Sequence, residues 1–170
     1  AHRSQWVSPV SVSYRGHELW ELPPNGQGLA AQQMLKMLEP WALGEGDPLS
    51  WHRMIESKKV AYEDRARLYC DPDFGSPPLQ QMLSSAYAEA RRALIDDTRA
   101  SQTLPGGDLA LERGDTVYLT AADDQGQVVS WIQSNYTGFG SGFVPEGWGF
   151  SLQNRGNLFA LDPAHANAFA

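Results

Sequence analysis

The stretch Gly114-Asp115-Thr116-Val117-Tyr118-Leu119-Thr120-Ala121-Ala122-Asp123 decides how this chain is read. From Thr116 the residues alternate and are rich in Val, Tyr, Leu and Thr, the composition of a pleated strand. The loose run Leu104-Pro105-Gly106-Gly107-Asp108 precedes it. After it, the turn Asp124-Gln125-Gly126 leads into a second strand, Gln127 to Asn135. A threonine placed first on a strand after a flexible segment is ordinary by itself, since strands favour threonine. Its downstream neighbours give it interest: Trp131-Ile132-Gln133-Ser134-Asn135-Tyr136-Thr137-Gly138-Phe139-Gly140-Ser141-Gly142, then Leu152-Gln153-Asn154-Arg155-Gly156.

Upstream of that hairpin the pattern is mainly helical. Val10 to Tyr14 and His17 to Leu22 alternate around Arg15-Gly16, which reads as a first hairpin. Pro23-Pro24-Asn25-Gly26 breaks the pattern. Ala31, Met34, Leu35 and Leu38 then recur at helical spacing, and Pro40 stops the run. A second helix is expected from a Ser50 cap, with Trp51, Ile55, Tyr62, Ala66 and Tyr69 on one face. Its charged residues Glu56, Lys58, Lys59, Glu63 and Arg67 are expected to cover the rest, and Asp64 and Arg65 to form a structural ion pair. A third helix is expected to start at Ser76-Pro77 and to carry Leu79, Met82, Leu83, Ala86, Ala90 and Leu94 on one stripe. Residues 96–115 lack periodicity and read as a mobile connection.

Composition narrows the function classes. With 170 residues, 42% hydrophobic and 19% charged, the chain can form a packed core. The net charge of −7 and the scattered Lys and Arg residues argue against a nucleic-acid partner. No apolar run is long enough for a transmembrane helix, so no membrane partner is expected. A single cysteine, Cys70, excludes an internal disulfide and is expected in the core, while leaving the compartment open. The four histidines show no metal-ligand spacing, and no cofactor motif is present. Gly138, Gly140 and Gly142 read as a backbone turn instead of a phosphate cradle, because no lysine follows at P-loop spacing. Asn135-Tyr136-Thr137 is formally a glycosylation sequon. The six tryptophans fall in different elements, which points to core packing.

Taken in order, Tyr14-Arg15-Gly16, Pro23-Pro24, Lys59-Val60-Ala61-Tyr62-Glu63-Asp64-Arg65, Asp71-Pro72-Asp73-Phe74, Asp115-Thr116 and the run from Trp131 to Gly156 resemble the gamma-glutamyltranspeptidase family. The likeness spans the junction between that family's two subunits. It implies an α+β fold, part of an αββα-layered N-terminal nucleophile hydrolase sandwich. Residues 1–115 would be the C-terminal part of the large subunit and residues 116–170 the N-terminal part of the small one. The remainder of both subunits would be the chain's partners and would supply the oxyanion-hole glycines. A fragment of this kind would expose apolar sheet edges and is expected to form homo-oligomers.

The resemblance also implies roles. Thr116 would be the nucleophile, released by cleavage after Asp115. A threonine hydroxyl is a poor nucleophile near neutral pH and needs a base. At a chain start its own α-amino group, with a pKa of roughly 7.7–8.0, can serve. Ser134 takes the place of a hydroxyl residue that hydrogen-bonds the nucleophile. Tyr136 falls where the transpeptidases carry an asparagine that contacts the glutamyl group, and Arg155, beside Asn154, replaces a glutamine of the binding site. Leu158 stands where an aspartate holds the substrate's α-amino group. Losing that carboxylate and gaining Arg155 should favour an acyl group that carries a carboxylate without a neighbouring ammonium, such as a glutaryl-like amide. The short segment from Phe159 to Ala170 lacks a lid loop, which favours water as acceptor. The competing expectation is an uncleaved, catalytically silent relative used as a binding or structural domain.

Overall fold

The computed structural model describes residues 4–102 and 114–169. They divide into two units, one of residues 4–102 with 164–168 and one of residues 114–163 with Phe169. Part of the expected mobile connection, residues 103–113, lies outside the described residues.

In the first unit Arg15 and Gly16 both take positive φ, 49° and 83°. That geometry matches the twist of two tightly joined strands. It pairs β1 (Val10–Tyr14) with β2 (His17–Glu21), from Tyr14↔His17 to Val10↔Glu21. Helix α1 (Gly28–Leu38) holds this hairpin through Gln32, whose Nε2 donates to Val10 O at 2.8 Å and Leu19 O at 3.0 Å. The buried face of α1 consists of Leu29, Ala30, Gln32, Gln33, Met37 and Leu38, so it is rotated from the expected stripe and Ala31 is exposed. Two glutamines displace the apolar pattern because their amides meet buried carbonyl and carboxylate groups.

Helix α2 runs from Pro48 to Leu68. Its cap is Asp47, not Ser50: the Asp47 carboxylate accepts from Leu49 N at 3.2 Å and Ser50 N at 2.9 Å. Pro48 then sits where its missing N–H costs nothing. Ser50 lies inside the helix and donates its hydroxyl to Asp47 Oδ2 at 2.6 Å. The faces of α2 depart from the expectation in part: Tyr69 is in the core and Tyr62 packs against it, and Lys58 and Arg67 are exposed as expected. Trp51 and Ile55 are 58% and 53% exposed, whereas Glu56, Glu63 and Asp64 are only 1%, 4% and 2% exposed.

These buried carboxylates are all partnered, as burial requires. Lys59 donates to Glu56, whose other oxygen accepts from Ser101 N at 3.1 Å. Glu63 accepts from Arg67 at 2.8 Å and also from Arg91. Asp64 pairs with Arg91 at 2.9 Å, not with Arg65, and accepts from Gln33 Nε2 at 2.9 Å. Arg65 instead reaches Gln27 Oε1 at 3.1 Å and stacks over Tyr62.

The expected third helix is two. Short α3 (Leu79–Met82) ends at Leu83, and α4 (Ser85–Arg92) restarts with Ser84 accepting from Tyr87 N at 3.1 Å. A serine hydroxyl that captures a backbone N–H favours a new helix start over continuation. Met82 and Ala88 join Leu29, Ala30, Met37, Val60, Ala61 and Tyr69 in the core, and Cys70 is buried as expected. The tryptophans are not core residues: Trp6, Trp20, Trp51, Trp131 and Trp148 are all exposed. The start of the expected connection is tied down too, with Asp97 pairing with Arg53 at 2.6 Å.

The carboxylates give this unit an acid-sensitive stability. Burial pushes Glu56 and Glu63 upward, but the Lys59 and Ser101 bonds on Glu56 and the Arg67 and Arg91 bonds on Glu63 outweigh it. Both carboxyls are held below the ordinary range. Their stabilisation is present above the unfolded value of about 4.3 and is lost as pH falls through the lower folded values. Asp64 has the opposite sign: burial raises it, so its contribution favours the protonated form and fades as pH rises. Urea unfolding of the chain is expected to show stability falling below about pH 4. Glu56→Gln should flatten that slope; an unchanged slope would remove Glu56 from the account.

In the second unit β3 (Gly114–Ala122) pairs antiparallel with β4 (Val128–Thr137), from Thr116↔Ser134 to Ala122↔Val128. The tip is the expected Asp124-Gln125-Gly126, with Gly126 at φ 81°. Asp123 Oδ1 accepts from Gln125 N at 3.0 Å and Gln127 N at 2.8 Å. Three boundaries differ from the expectation, the smallest being that β4 starts at Val128 instead of Gln127. β3 begins at Gly114, so Thr116 is inside a strand instead of at its start, and β4 continues to Thr137.

Candidate active site

The pairing of β3 with β4 breaks register between Gly114↔Thr137 and Thr116↔Ser134. Asp115 alone on β3 therefore faces both Asn135 and Tyr136 on β4, the arrangement of a β-bulge. Tyr136 takes φ 79°, a left-handed conformation that a bulky residue rarely adopts. The bulge thus lies across from the Asp115–Thr116 bond, and it turns the Tyr136 N–H back onto its own strand.

Cross-strand register brings the first two expected site residues together. Thr116 Oγ1 and Ser134 Oγ share a hydrogen bond of 2.9 Å. The same Ser134 oxygen accepts from Tyr136 N at 2.9 Å and from Arg155 Nη2 at 3.3 Å. Arg155 opens a single 3₁₀ turn, Arg155–Leu158, and its backbone N–H donates to Gln153 Oε1. Its guanidinium carbon lies 5.4 Å from the Tyr136 ring centroid, within cation–π range. Tyr136 is 9% exposed, and its buried hydroxyl has no hydrogen-bond partner among the described residues.

Asn154 sits differently from the other expected binding residues. Its Oδ1 accepts from Thr137 N at 3.1 Å, and its Nδ2 donates to Thr137 Oγ1. Its own N–H donates to Asn135 O at 3.1 Å. Asn154 therefore fastens the end of β4 to the segment that carries Arg155. Leu158 is half-buried in the same turn.

The glycine-rich stretch forms a turn directly after β4, where Gly140 N donates to Thr137 O at 2.9 Å. Gly138, Gly140 and Gly142 take φ of 49°, 69° and 71°. Gly140 is needed twice over, because an added Cβ would also collide with the Leu152 carbonyl oxygen. Ser141 N donates to that carbonyl at 2.8 Å, and Ser151 Oγ donates to Phe139 O at 2.8 Å. Sequence reasoning does not single out Thr137 or Ser151 as site residues. The Asn135-Tyr136-Thr137 pattern contains Thr137, but its meaning depends on a contact with Asn154 across 17 residues.

A family model described as Gamma-glutamyltranspeptidase matches residues 1–170. The chain belongs to the gamma-glutamyltranspeptidase family. It is 35% identical to the glutathione hydrolase-like YwrD proenzyme of Bacillus subtilis, over 98% of this chain and 31% of that protein. Identity is also 35% to the oxamate amidohydrolase proenzyme of Klebsiella pneumoniae, over 100% of this chain and 32% of the relative. The crystal structure of a cephalosporin acylase from Bacillus halodurans superposes with a TM-score of 0.81 at 42% identity, covering 99% of this chain and 30% of that one. The chain thus spans about a third of the length of these family members. The described residues combine helices with sheet.

Proposed function

We propose that this chain is the junction segment of a self-processing N-terminal threonine amidohydrolase or acyltransferase. The observation that carries the reading is the Thr116–Ser134 hydroxyl pair beside the bulge at Asp115. The names of the relatives as proenzymes support it. In the precursor, Thr116 Oγ1 attacks the Asp115 carbonyl carbon. The C–N bond breaks, the nitrogen gains the hydroxyl proton, and an ester joins Asp115 to Thr116. Water then cleaves the ester, leaving a carboxylate on Asp115 and a free α-amine and hydroxyl on Thr116. That amine is the base for later turnovers, in which an amide substrate acylates Thr116 and releases its amine, and water or an amine removes the acyl group. Cleavage assigns residues 1–115 to a large subunit and 116–170 to a small one.

The rest of the proposed enzyme is needed to cover the hairpin. Val117, Leu119, Val129 and Trp131 share one face and are all more than half exposed, while Tyr118, Val128 and Ile132 are exposed on the face of Thr116. A sheet apolar on both faces is a middle layer, which fits an αββα sandwich completed by the remaining parts of the two subunits. Left uncovered, such faces favour self-association.

For substrate, Arg155 favours an acyl carboxylate and Leu158 offers no carboxylate to an α-ammonium. Full-length protein is expected to hydrolyse a glutaryl anilide at least about tenfold better in kcat/KM than the γ-glutamyl anilide, the scale of one charge-assisted hydrogen bond. Equal or reversed rates would sink that preference. The activity as a whole is tested by intact mass and N-terminal sequencing of the full-length protein. A second chain beginning at Thr116 is the expected result; one uncut chain after long incubation would overturn the reading.

A further inference from the structure

We propose that Asn154 is a positioning residue for acyl selection: it grips the backbone on both sides of Tyr136 and so holds the Tyr136 ring and the Arg155 guanidinium together as one acyl-binding unit. The inference rests on Arg155 as the acyl-carboxylate residue and deepens that reading. Tyr136 stands at φ 79°, an unfavourable conformation for a bulky residue that its surroundings must hold. Its N–H turns to Ser134 Oγ on its own strand. Asn154 supplies what a neighbouring strand would: its N–H donates to Asn135 O at 3.1 Å, and its Oδ1 accepts from Thr137 N at 3.1 Å. Those are the residues immediately before and after Tyr136. The Asn154 Nδ2 donates to Thr137 Oγ1, which closes the clasp. A backbone N–H can only donate, so the oxygen end of the amide must face Thr137 N and the amide has one possible orientation.

Arg155 follows Asn154 directly. The Asn154 carbonyl accepts from Asn157 N at 3.2 Å and opens the single turn Arg155–Leu158. Tyr136 and Arg155 are thus each one residue from a held position. The Arg155 guanidinium carbon lies 5.4 Å from the Tyr136 ring centroid. An arginine side chain gives up rotamer freedom when it binds a ligand. Stacking on a ring that is itself only 9% exposed removes part of that freedom beforehand. A preorganised guanidinium binds a carboxylate more tightly than a free one, in the geometry its planar donors require. One of its five N–H donors goes to Ser134 Oγ at 3.3 Å, and others remain for an acyl carboxylate.

The clasp has a signature of its own. The Thr116–Ser134 pair is set by cross-strand register, two residues away from Tyr136 and outside the bonds of Asn154. Loss of the Asn154 amide therefore loosens recognition of the acyl carboxylate more than it disturbs the nucleophile. An interaction made equally with bound substrate and transition state appears in KM, not in kcat.

The test measures kcat and KM of the full-length protein with a glutaryl anilide and with the uncharged butyryl anilide. Variants are Asn154→Ala, Thr137→Val, Thr137→Ser, Arg155→Met and the Asn154→Ala/Arg155→Met pair. Asn154→Ala is expected to lower the glutaryl-over-butyryl ratio of kcat/KM about tenfold, the scale of one charge-assisted hydrogen bond, chiefly by raising KM for the glutaryl anilide. Thr137→Val leaves Asn154 Nδ2 without its acceptor and should lower the ratio in the same direction, and Thr137→Ser should recover most of that loss. Adding Asn154→Ala to Arg155→Met should lower the ratio no further, because Asn154 acts through Arg155. Equal losses on both anilides, or an unchanged ratio in Asn154→Ala, would overturn the proposal. Crystals of full-length Thr116→Ala, with and without Asn154→Ala, read the clasp without any turnover. Arg155 drawn away from the Tyr136 ring in the double variant supports the proposal, and a guanidinium that stays in place rejects it. If Arg155→Met keeps the wild-type ratio, the acyl assignment of Arg155 fails, whereas the position of Arg155 in those crystals still decides whether Asn154 holds it.

Discussion

Thr116→Ala in the full-length protein is expected to yield one uncut chain and amide hydrolysis lowered by at least about 10⁴-fold. On the proposed mechanism the alanine removes the hydroxyl that forms the ester, while Ser134 keeps its other two donors and β3 keeps its ladder. Folding should therefore survive, and circular dichroism identical to wild type makes the loss chemical. Thr116→Ser supplies the complementary result. Its hydroxyl can attack, but without the methyl its χ1 is less restricted, so it samples positions away from Ser134. Slower cleavage that still reaches completion is expected. If the serine variant were as inert as the alanine one, or if the alanine variant still cleaved between residues 115 and 116, another nucleophile would have to be sought.

The second large effect lies in the helical unit. Arg91 Nη2 serves Glu63, Asp64 at 2.9 Å and the Val60 carbonyl at 3.2 Å, and its side chain is only 16% exposed. Arg91→Met leaves two carboxylates, 5% and 2% exposed, without their shared cation. Breaking a buried pair from one side costs about 3–5 kcal/mol; the partial exposure of Arg91 and the Arg67 bond to Glu63 place the expected loss at about 3 kcal/mol. Urea unfolding measures it. The distinguishing arm adds Asp64→Asn to Arg91→Met, which removes the worst-placed charge and is expected to recover part of the loss. A loss below about 1 kcal/mol, the level of an exposed pair, would show that water reaches these groups.

Sequence signals are legible wherever they decide structure locally. Arg15-Gly16 and Asp124-Gln125-Gly126 are turns, and strand alternation places Thr116 and Ser134 on neighbouring strands. Failures come where a long-range partner decides. Glu56, Glu63 and Asp64 look like a solvated helix face until Ser101 and Arg91 arrive from 45, 28 and 27 positions away. Gln32 and Gln33 look incidental because their carbonyl and carboxylate partners lie on other elements. The tryptophans mislead for a related reason: Trp131 lies 60% exposed on a sheet face that it shares with Val117, Leu119 and Val129. At the site, the family likeness points to Thr116, Ser134, Tyr136 and Arg155, and the structure gathers all four within one unit. The bulge is invisible to such a reading, since one residue opposing two is a property of a pair of strands.

That mismatch has a bearing on which length changes the hairpin can survive. Between its tip and the bulge, pairing runs without interruption from Ala122↔Val128 to Thr116↔Ser134. Side chains alternate faces at every step, so deleting one residue between Val128 and Gln133 would carry the Ser134 hydroxyl to the far side of the ribbon. An insertion within Asp124-Gln125-Gly126 leaves the spacing untouched and adds only loop. Natural or engineered variation in this segment should therefore collect at the tip, which makes it the place to graft a tag or reporter without silencing Thr116.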